Sequence, residues 1–134
     1  MISRAVFRYI EHELFNYAET KQQIKELQQN IIESTPFAET IPGGGHISDP
    51  TARKAIKLVT STAIARMERN VRAIDRAMKL LPEQHQMLFE LKYQQGKSMA
   101  GVCDEIPASE RSYFRWRKEI VEVVAREMGL VNIA

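Results

Sequence analysis

The spacing of apolar residues constrains this chain more than any other feature of its sequence. Along almost its whole length, apolar residues recur at intervals of three and four positions and never alternate for long with polar ones. Such intervals place apolar side chains on one face of an α-helix, whereas a half-buried strand needs alternation. We therefore expect an all-α fold without strands.

One segment breaks the helical pattern. Residues 35–50, TPFAETIPGGGHISDP, contain three prolines and three consecutive glycines. They oppose regular structure, because proline lacks an amide hydrogen and glycine leaves the backbone unrestricted. No lysine-serine or lysine-threonine pair follows the glycines and no strand precedes them, so a nucleotide-binding loop is not expected. We predict a linker or mobile loop here.

Residues 1–34 predict two amphipathic helices, at about 2–17 and 20–34. Residues 16–20 fit either a break between them or continued helix. We interpret the pair as an N-terminal helical hairpin that packs on another part of the protein. Its apolar positions are Val6, Ile10, Leu14, Ile24, Leu27, Ile31 and Ile32.

A long central helix is predicted over 51–80. It is expected to start at Pro50, because Ser48 or Asp49 can cap it and proline suits a first turn. Two interpretations of its apolar seam stay open: the core of one molecule, or the contact between two copies in a dimer. The seam, stepping by three or four residues, consists of Ile56, Val59, Ala63, Met67, Val71, Ile74, Met78 and Leu81.

Charge is distributed unevenly, although the net charge at pH 7 is only +2. Residues 1–50 hold four Lys or Arg against seven Asp or Glu, residues 51–80 eight against two, and residues 81–134 seven against eight. The cations of the central helix are expected to be solvated or to neutralise the acidic N-terminal segment. Since the C-terminal segment is not basic overall, binding of nucleic acid there must come from local placement of cations.

Residues 81–134 show the start and stop signals of three further helices. The first begins around Pro82 and Glu83, which suit a first turn, and ends at Gly96, where glycine can adopt a positive φ. Ser98 can then cap a short helix at about 99–105. After a break at Pro107, Ser109 can cap the third helix through a backbone amide two or three residues on.

The third helix has two faces. Its apolar residues recur at three and four positions and are expected to be buried: Tyr113, Trp116, Ile120, Val123 and Val124. The other side is expected to face outward and carries Glu110, Arg111, Phe114, Arg115 and Lys118. Three helices in this order predict a helix-turn-helix domain at 81–134.

In a helix-turn-helix, the N-terminal residues of the last helix enter the DNA major groove while the preceding helix crosses the backbone. Arg111 and Arg115, one turn apart, are predicted to bond to guanine O6 and N7, and Glu110 to accept from cytosine. The other candidate DNA-contacting residues, most of them suited to phosphate, are Lys97, Ser98, Ser109, Ser112, Phe114, Arg117 and Lys118.

The C-terminal sequence also resembles a known type of domain. LPEQHQMLFELKYQQGKSMAGVCDEIPASERSYFRWRKEIVEVVA is similar to sigma-factor region 4, where a leucine-proline start, a lysine- or arginine-tyrosine pair and a capped short helix precede the recognition helix. With ELFNYAETKQQIKELQQNI and SDPTARKAIKL upstream, the chain resembles the RinA/ArpU-like transcriptional regulators of phages and prophages of Gram-positive bacteria. The resemblance implies sequence-specific binding of double-stranded DNA and activation of late genes.

Two other functions remain open. A small terminase subunit, which recognises phage DNA for packaging, would join the same helix-turn-helix to an oligomerising part. An all-helical adaptor would bind a protein through the seam and never touch DNA. We expect the protein to form a homo-oligomer, and a dimer is favoured. Host RNA polymerase is a further candidate partner.

An enzyme is not expected. His12, His46 and His85 lie in different segments, and Cys103 is the single cysteine, so neither a metal site nor a cofactor is predicted. No stretch approaches the roughly 18 apolar residues of a membrane span, and the N-terminus carries acids where a signal peptide is apolar. We expect a cytoplasmic protein of the host bacterial cell.

Overall fold

The computed structural model of the protein describes residues 2–40 and 50–130. This described part is helical and contains no strand, which confirms the predicted all-α class. None of its helices is long and apolar enough to cross a bilayer. The elements are α1 (Arg4–Phe15), α2 (Tyr17–Thr40), α3 (Pro50–Leu80), α4 (Glu83–Leu88), a π-helical segment (Phe89–Gln94), α5 (Met99–Glu105) and α6 (Glu110–Glu127).

The chain divides into two compact units. Unit 1 comprises residues 1–18 and 69–134, and unit 2 comprises residues 19–68. This division differs from the segments 1–34, 35–50, 51–80 and 81–134 that the sequence suggests. The reason is that α1 packs with the C-terminal helices, and that the two halves of α3 belong to different units.

The N-terminal helices begin and end close to the predicted positions, with one correction. Ser3 caps α1 by accepting a hydrogen bond from the Val6 amide at 3.2 Å, and Asn16 separates α1 from α2. Helix α2 then continues to Thr40, so residues 35–40, assigned above to the loop, are helical. The glycines begin only at Gly43, beyond this helix. The remaining loop residues, including the predicted cap at Ser48 or Asp49, lie outside the described residues.

Helix α3 starts at Pro50 and ends at Leu80, as predicted. The residues of its apolar seam differ in burial. Val71 and Ile74 are buried in unit 1, whereas Ile56 and Val59 in unit 2 are exposed. The seam residues that are buried therefore all belong to unit 1.

The core of unit 1 forms where α6 meets α1, α4 and α5. The π-helical segment contacts α1 and α5 as well as α4, and buries Phe89, Leu91 and Tyr93. Burial of one large apolar side chain stabilises a fold by about 1.5 to 3 kcal/mol, so these contacts hold α6 firmly in unit 1. The fully buried large side chains of unit 1 are Ile10, Leu14, Ile74, Leu88, Val102, Ile120, Val121 and Val124.

Candidate nucleic-acid interface

Serine caps fix the starts of α5 and α6, as the sequence predicts. The Ser98 hydroxyl accepts a hydrogen bond from the Gly101 amide at 3.2 Å, and the Ser109 hydroxyl accepts one from the Ser112 amide at 3.1 Å. Upstream, Gly96 follows the π-helical segment with φ of +72°. A serine cap is worth about 1 kcal/mol, so local interactions define where both helices begin.

The inward face of α6 is apolar. Its buried residues are Tyr113, Ile120, Val121, Val124 and Ala125. Three of these, Tyr113, Ile120 and Val124, confirm the predicted buried side, while Trp116 and Val123 are half-buried. Burial of this face sets the rotation of α6, and with it the residues that remain on the opposite side.

The outward face of α6 consists of Arg111, Phe114, Arg115 and Lys118, which are all exposed as predicted. At a rise of 1.5 Å per residue, this face extends about 10 Å along the helix axis. That length corresponds to about three base pairs of DNA. Glu110 at the start of α6 is exposed as well, and Ser112 is half-buried.

Two cations of the outward face have carboxylate neighbours within α6. Arg115 Nε lies 3.6 Å from Glu119 Oε1, and Lys118 Nζ lies 3.9 Å from Glu122 Oε1. The Arg115 side chain is 66% exposed, and such exposed pairs contribute only about 0.3 to 0.5 kcal/mol. Within the described part of the chain, Arg111 forms no ion pair. All three cations can therefore accept a new anionic or polar partner at little cost.

Three further predicted contact residues have interactions within α5 and α6 and their flanks. Lys97 pairs with Glu105. Ser98 serves as the cap of α5, and the Ser109 hydroxyl donates to the Ser112 hydroxyl at 3.1 Å besides accepting from its amide. These hydroxyl groups hold the helix ends in place, so a phosphate would have to compete with an existing hydrogen bond.

Arg117, also predicted to contact phosphate, lies on the inward side of α6. Its Nε donates to Glu11 Oε2 at 2.8 Å and its Nη2 to Glu11 Oε1 at 2.6 Å. Tyr93 donates to the same Glu11 Oε2 at 2.7 Å, and the guanidinium lies 5.1 Å from the centre of the Phe7 ring. Arg117 thus connects α6 to α1, and a phosphate would have to compete with Glu11 for its guanidinium.

The Glu11 cluster, formed by Glu11, Tyr93 and Arg117, perturbs the acidity of each member. Burial opposes the charged form of Glu11, but hydrogen bonds from Arg117 and Tyr93 outweigh it and lower the pKa of the carboxyl below its ordinary value of 4.5. Burial and the bond to Glu11 raise the pKa of Tyr93. The hydrogen bonds to Glu11 raise the pKa of Arg117 despite its partial burial. The cluster is therefore an ion pair at neutral pH.

Residue spacing in α1 and α6 carries a signal for this cluster. Arg117 lies four positions after Tyr113 and three before Ile120, which places it in register with the buried face. Glu11 similarly adjoins Ile10 and lies three positions before Leu14 on the apolar face of α1. Opposite charges on two apolar faces indicate a partly buried pair between two helices.

Glu119 lies between the outward face and the core of unit 1. Its carboxylate, 3.6 Å from Arg115, is also 3.5 Å from Nε2 of the buried His85. The His85 ring packs at 5.8 Å from the Trp116 ring, measured between centroids. This contact with His85 explains why Trp116 is half-buried, as a residue at the edge of the core.

Comparison with known proteins identifies a protein family. A family model described as "Protein of unknown function (DUF722)" matches residues 9–126. No curated protein and no solved structure matches the chain. The matched range includes the whole outward face of α6 and the Glu11 cluster.

Proposed function

The chain belongs to the DUF722 family, and we propose that it binds duplex DNA in a sequence-specific manner through α5 and α6, acting as a transcriptional regulator. One observation carries the proposal. The N-terminal half of α6 exposes Arg111, Phe114, Arg115 and Lys118 as one face, while its opposite side is buried.

The arrangement of α5 and α6 supports a helix-turn-helix. Helix α5 is short and capped, contacts α6, and is followed by a connection of four residues, 106–109. In that motif the second helix inserts its N-terminal residues into the major groove. Helix α6 would present its outward face there, with α5 crossing the phosphate backbone.

The chemistry of these side chains suggests which of them would contact bases and which would contact phosphates. Arg111 and Arg115 have the planar guanidinium that bonds to guanine O6 and N7, and Glu110 can accept from a cytosine amino group. Lys118, Ser112 and Lys97 would contact phosphates, for which Lys97 must leave Glu105. Arg117 is not included, because its Nε and Nη2 already donate to Glu11.

The biological role proposed is regulation of phage or prophage late genes in the bacterial cytoplasm, which rests on the resemblance to the RinA/ArpU-like regulators. Because residues 81–134 carry eight acids against seven bases, a single copy has few cations to spare for phosphates. A homodimer would double the contacts, and RNA polymerase is the further partner proposed.

Selection of bound duplexes from a random pool, with the full chain, tests this function. We expect enrichment of one sequence, and Arg111→Ala and Arg115→Ala should each weaken binding to it by about 1 to 3 kcal/mol. Arg126→Ala is the matched control, since Arg126 is an exposed arginine in the last turn of α6. If the folded full chain enriches no sequence, or if both variants bind like the control, the proposal is wrong.

A second function is favoured by the N-terminal half of α3. Ile56, Leu58 and Val59 are 65%, 69% and 68% exposed there, beside Lys54 and Lys57. Exposed apolar residues among cations suit an all-helical adaptor that binds another protein. Absence of binding to any duplex at low salt, where phosphate contacts are strongest, would favour this adaptor over the DNA-binding regulator.

A further inference from the structure

Phe114 is a large apolar side chain in the middle of a cationic surface. It is 46% exposed, and its ring meets Tyr113 edge to face at a centroid distance of 5.3 Å. Tyr113 itself is buried in the core of unit 1, as is Ile120 on the same inward face. Phe114 is therefore held in position from one side, while nearly half of its surface remains open to a ligand.

Its neighbours are the cations proposed to contact DNA. Arg111 lies one turn before Phe114, Arg115 follows it directly, and Lys118 lies one turn after it. Along the helix axis, Phe114 is about 4.5 Å from Arg111. Successive base pairs are about 3.4 Å apart, so the two side chains would meet adjacent or next-adjacent base pairs.

The chemistry of the major groove leaves one group for an apolar side chain to recognise. Base edges there present hydrogen-bond donors and acceptors, and the thymine C5-methyl is the apolar exception. Resting on the proposed function, we infer that Phe114 is a specificity-determining residue that packs against a thymine methyl next to the guanine bound by Arg111. The recognised site would then contain a thymine within one or two base pairs of that guanine.

Substitution of deoxyuridine for thymine tests the inference, because it removes the methyl and leaves base pairing unchanged. Each thymine of the selected duplex is replaced in turn, and the Kd of the full chain is measured at fixed salt. Loss of one buried carbon should weaken binding by about fourfold at one or two positions close to the guanine whose recognition depends on Arg111. Other thymines should be insensitive.

Variants of Phe114 assign the effect to this residue. Phe114→Ala should bind the thymine and deoxyuridine duplexes equally, whereas Phe114→Leu should retain part of the preference. Leu80→Ala, which also shortens an exposed apolar side chain but lies in α3, is the matched control and should keep the full preference. Circular dichroism checks that each variant is folded.

The outcomes separate this inference from the function on which it rests. If the full chain selects no duplex, the proposed function fails and the inference fails with it. If it selects a duplex but no deoxyuridine substitution weakens binding, only the inference is overturned. The same holds if Phe114→Ala remains as sensitive to deoxyuridine as the wild type, or if Phe114 proves to contact a protein partner instead.

Discussion

Arg115 and Arg117 lie two positions apart on α6, and their side chains meet different surroundings. Arg117 is 28% exposed and makes two hydrogen bonds to Glu11, whose oxygen also accepts from Tyr93. Arg115 is 66% exposed and approaches Glu119 at 3.6 Å, beyond hydrogen-bonding distance. The inward arginine donates two hydrogen bonds to Glu11 within the fold, whereas the outward one forms no hydrogen bond with Glu119.

This difference separates two roles that the sequence alone presents as one basic stretch. A guanidinium in a partly buried, bidentate pair cannot be moved to a ligand without leaving Glu11 uncompensated. A guanidinium at the surface exchanges water or a weak carboxylate contact for a base or a phosphate at small cost. We therefore expect the inward face to determine stability and the outward face to determine binding.

The largest expected effect comes from breaking the inward pair. Arg117→Ala should lower the free energy of unfolding by about 3 kcal/mol, at the lower end of the range for buried pairs because Arg117 is partly exposed. Urea denaturation followed by circular dichroism measures the loss. Arg117→Lys should recover only part of it, since an ammonium cannot reproduce the bidentate geometry.

A double-mutant cycle sharpens this first prediction. Glu11→Ala combined with Arg117→Ala should cost less than the sum of the single substitutions, because no charge is left without its partner. Additive losses would mean that the two side chains contribute independently and that the contact between α1 and α6 is not what Arg117 stabilises.

The pair of Glu11 and Arg117 should also make the stability of the protein depend on pH, with an effect of intermediate size. Because Arg117 and Tyr93 hold the pKa of Glu11 below 4.5 in the folded protein, the unfolded chain takes up a proton at this residue first as pH falls. Stability from Glu11 is therefore present above pH 4.5 and is lost on acidification below it. Comparison of unfolding midpoints at pH 6 and below pH 4.5 in wild type and Glu11→Gln isolates this contribution.

The Glu11→Gln variant should be less stable at neutral pH, and its stability should fall less steeply on acidification than that of the wild type. Parallel curves for the two proteins would contradict the assigned role of Glu11, whatever the contribution of the other carboxyl groups. A steeper curve for the variant would mean that burial, rather than Arg117, dominates the acidity of this residue.

Local rules were sufficient to predict the C-terminal helices. Capping and helix termination depend on neighbouring residues only, so Ser98, Ser109, Pro50 and Gly96 marked helix boundaries correctly. The exposed residues of α6 were predicted for a similar reason: apolar residues at helical spacing define the buried side, and the cations opposite them remain outside.

Features that depend on tertiary packing were missed. Spacing places Arg117 and Glu11 each on an apolar helix face, but 106 residues separate them and no local rule shows that these two faces pack together. The seam of α3 is continuous in sequence, but its buried members all belong to unit 1. The π-helical segment likewise contains neither proline nor glycine to indicate a wider turn. Each of these three features depends on which helix faces pack against each other in the folded protein.

The N-terminal cap of α6 fixes where the helix begins, and so it affects the inward and the outward face alike. Ser109→Ala removes the hydroxyl that accepts from the Ser112 amide and should destabilise the protein by about 1 kcal/mol. Ser109→Thr is the matched control, since threonine keeps the hydroxyl acceptor and is among the residues preferred at a helix N-cap. Thermal unfolding of both variants measures the difference, and equal losses would show that the hydroxyl is not the stabilising group.

The smallest effect on stability is expected at the outward face. Arg115→Ala removes only the exposed contact with Glu119 and should change the free energy of unfolding by about 0.5 kcal/mol or less. Arg111→Ala, which breaks no ion pair among the described residues, should change it even less. Urea denaturation under the conditions used for Arg117→Ala gives a direct comparison of the two faces. A loss above about 1 kcal/mol for Arg115→Ala would indicate that Glu119 needs this arginine as its counter-charge beside the buried His85, and the outward face would then be structural as well as available for binding.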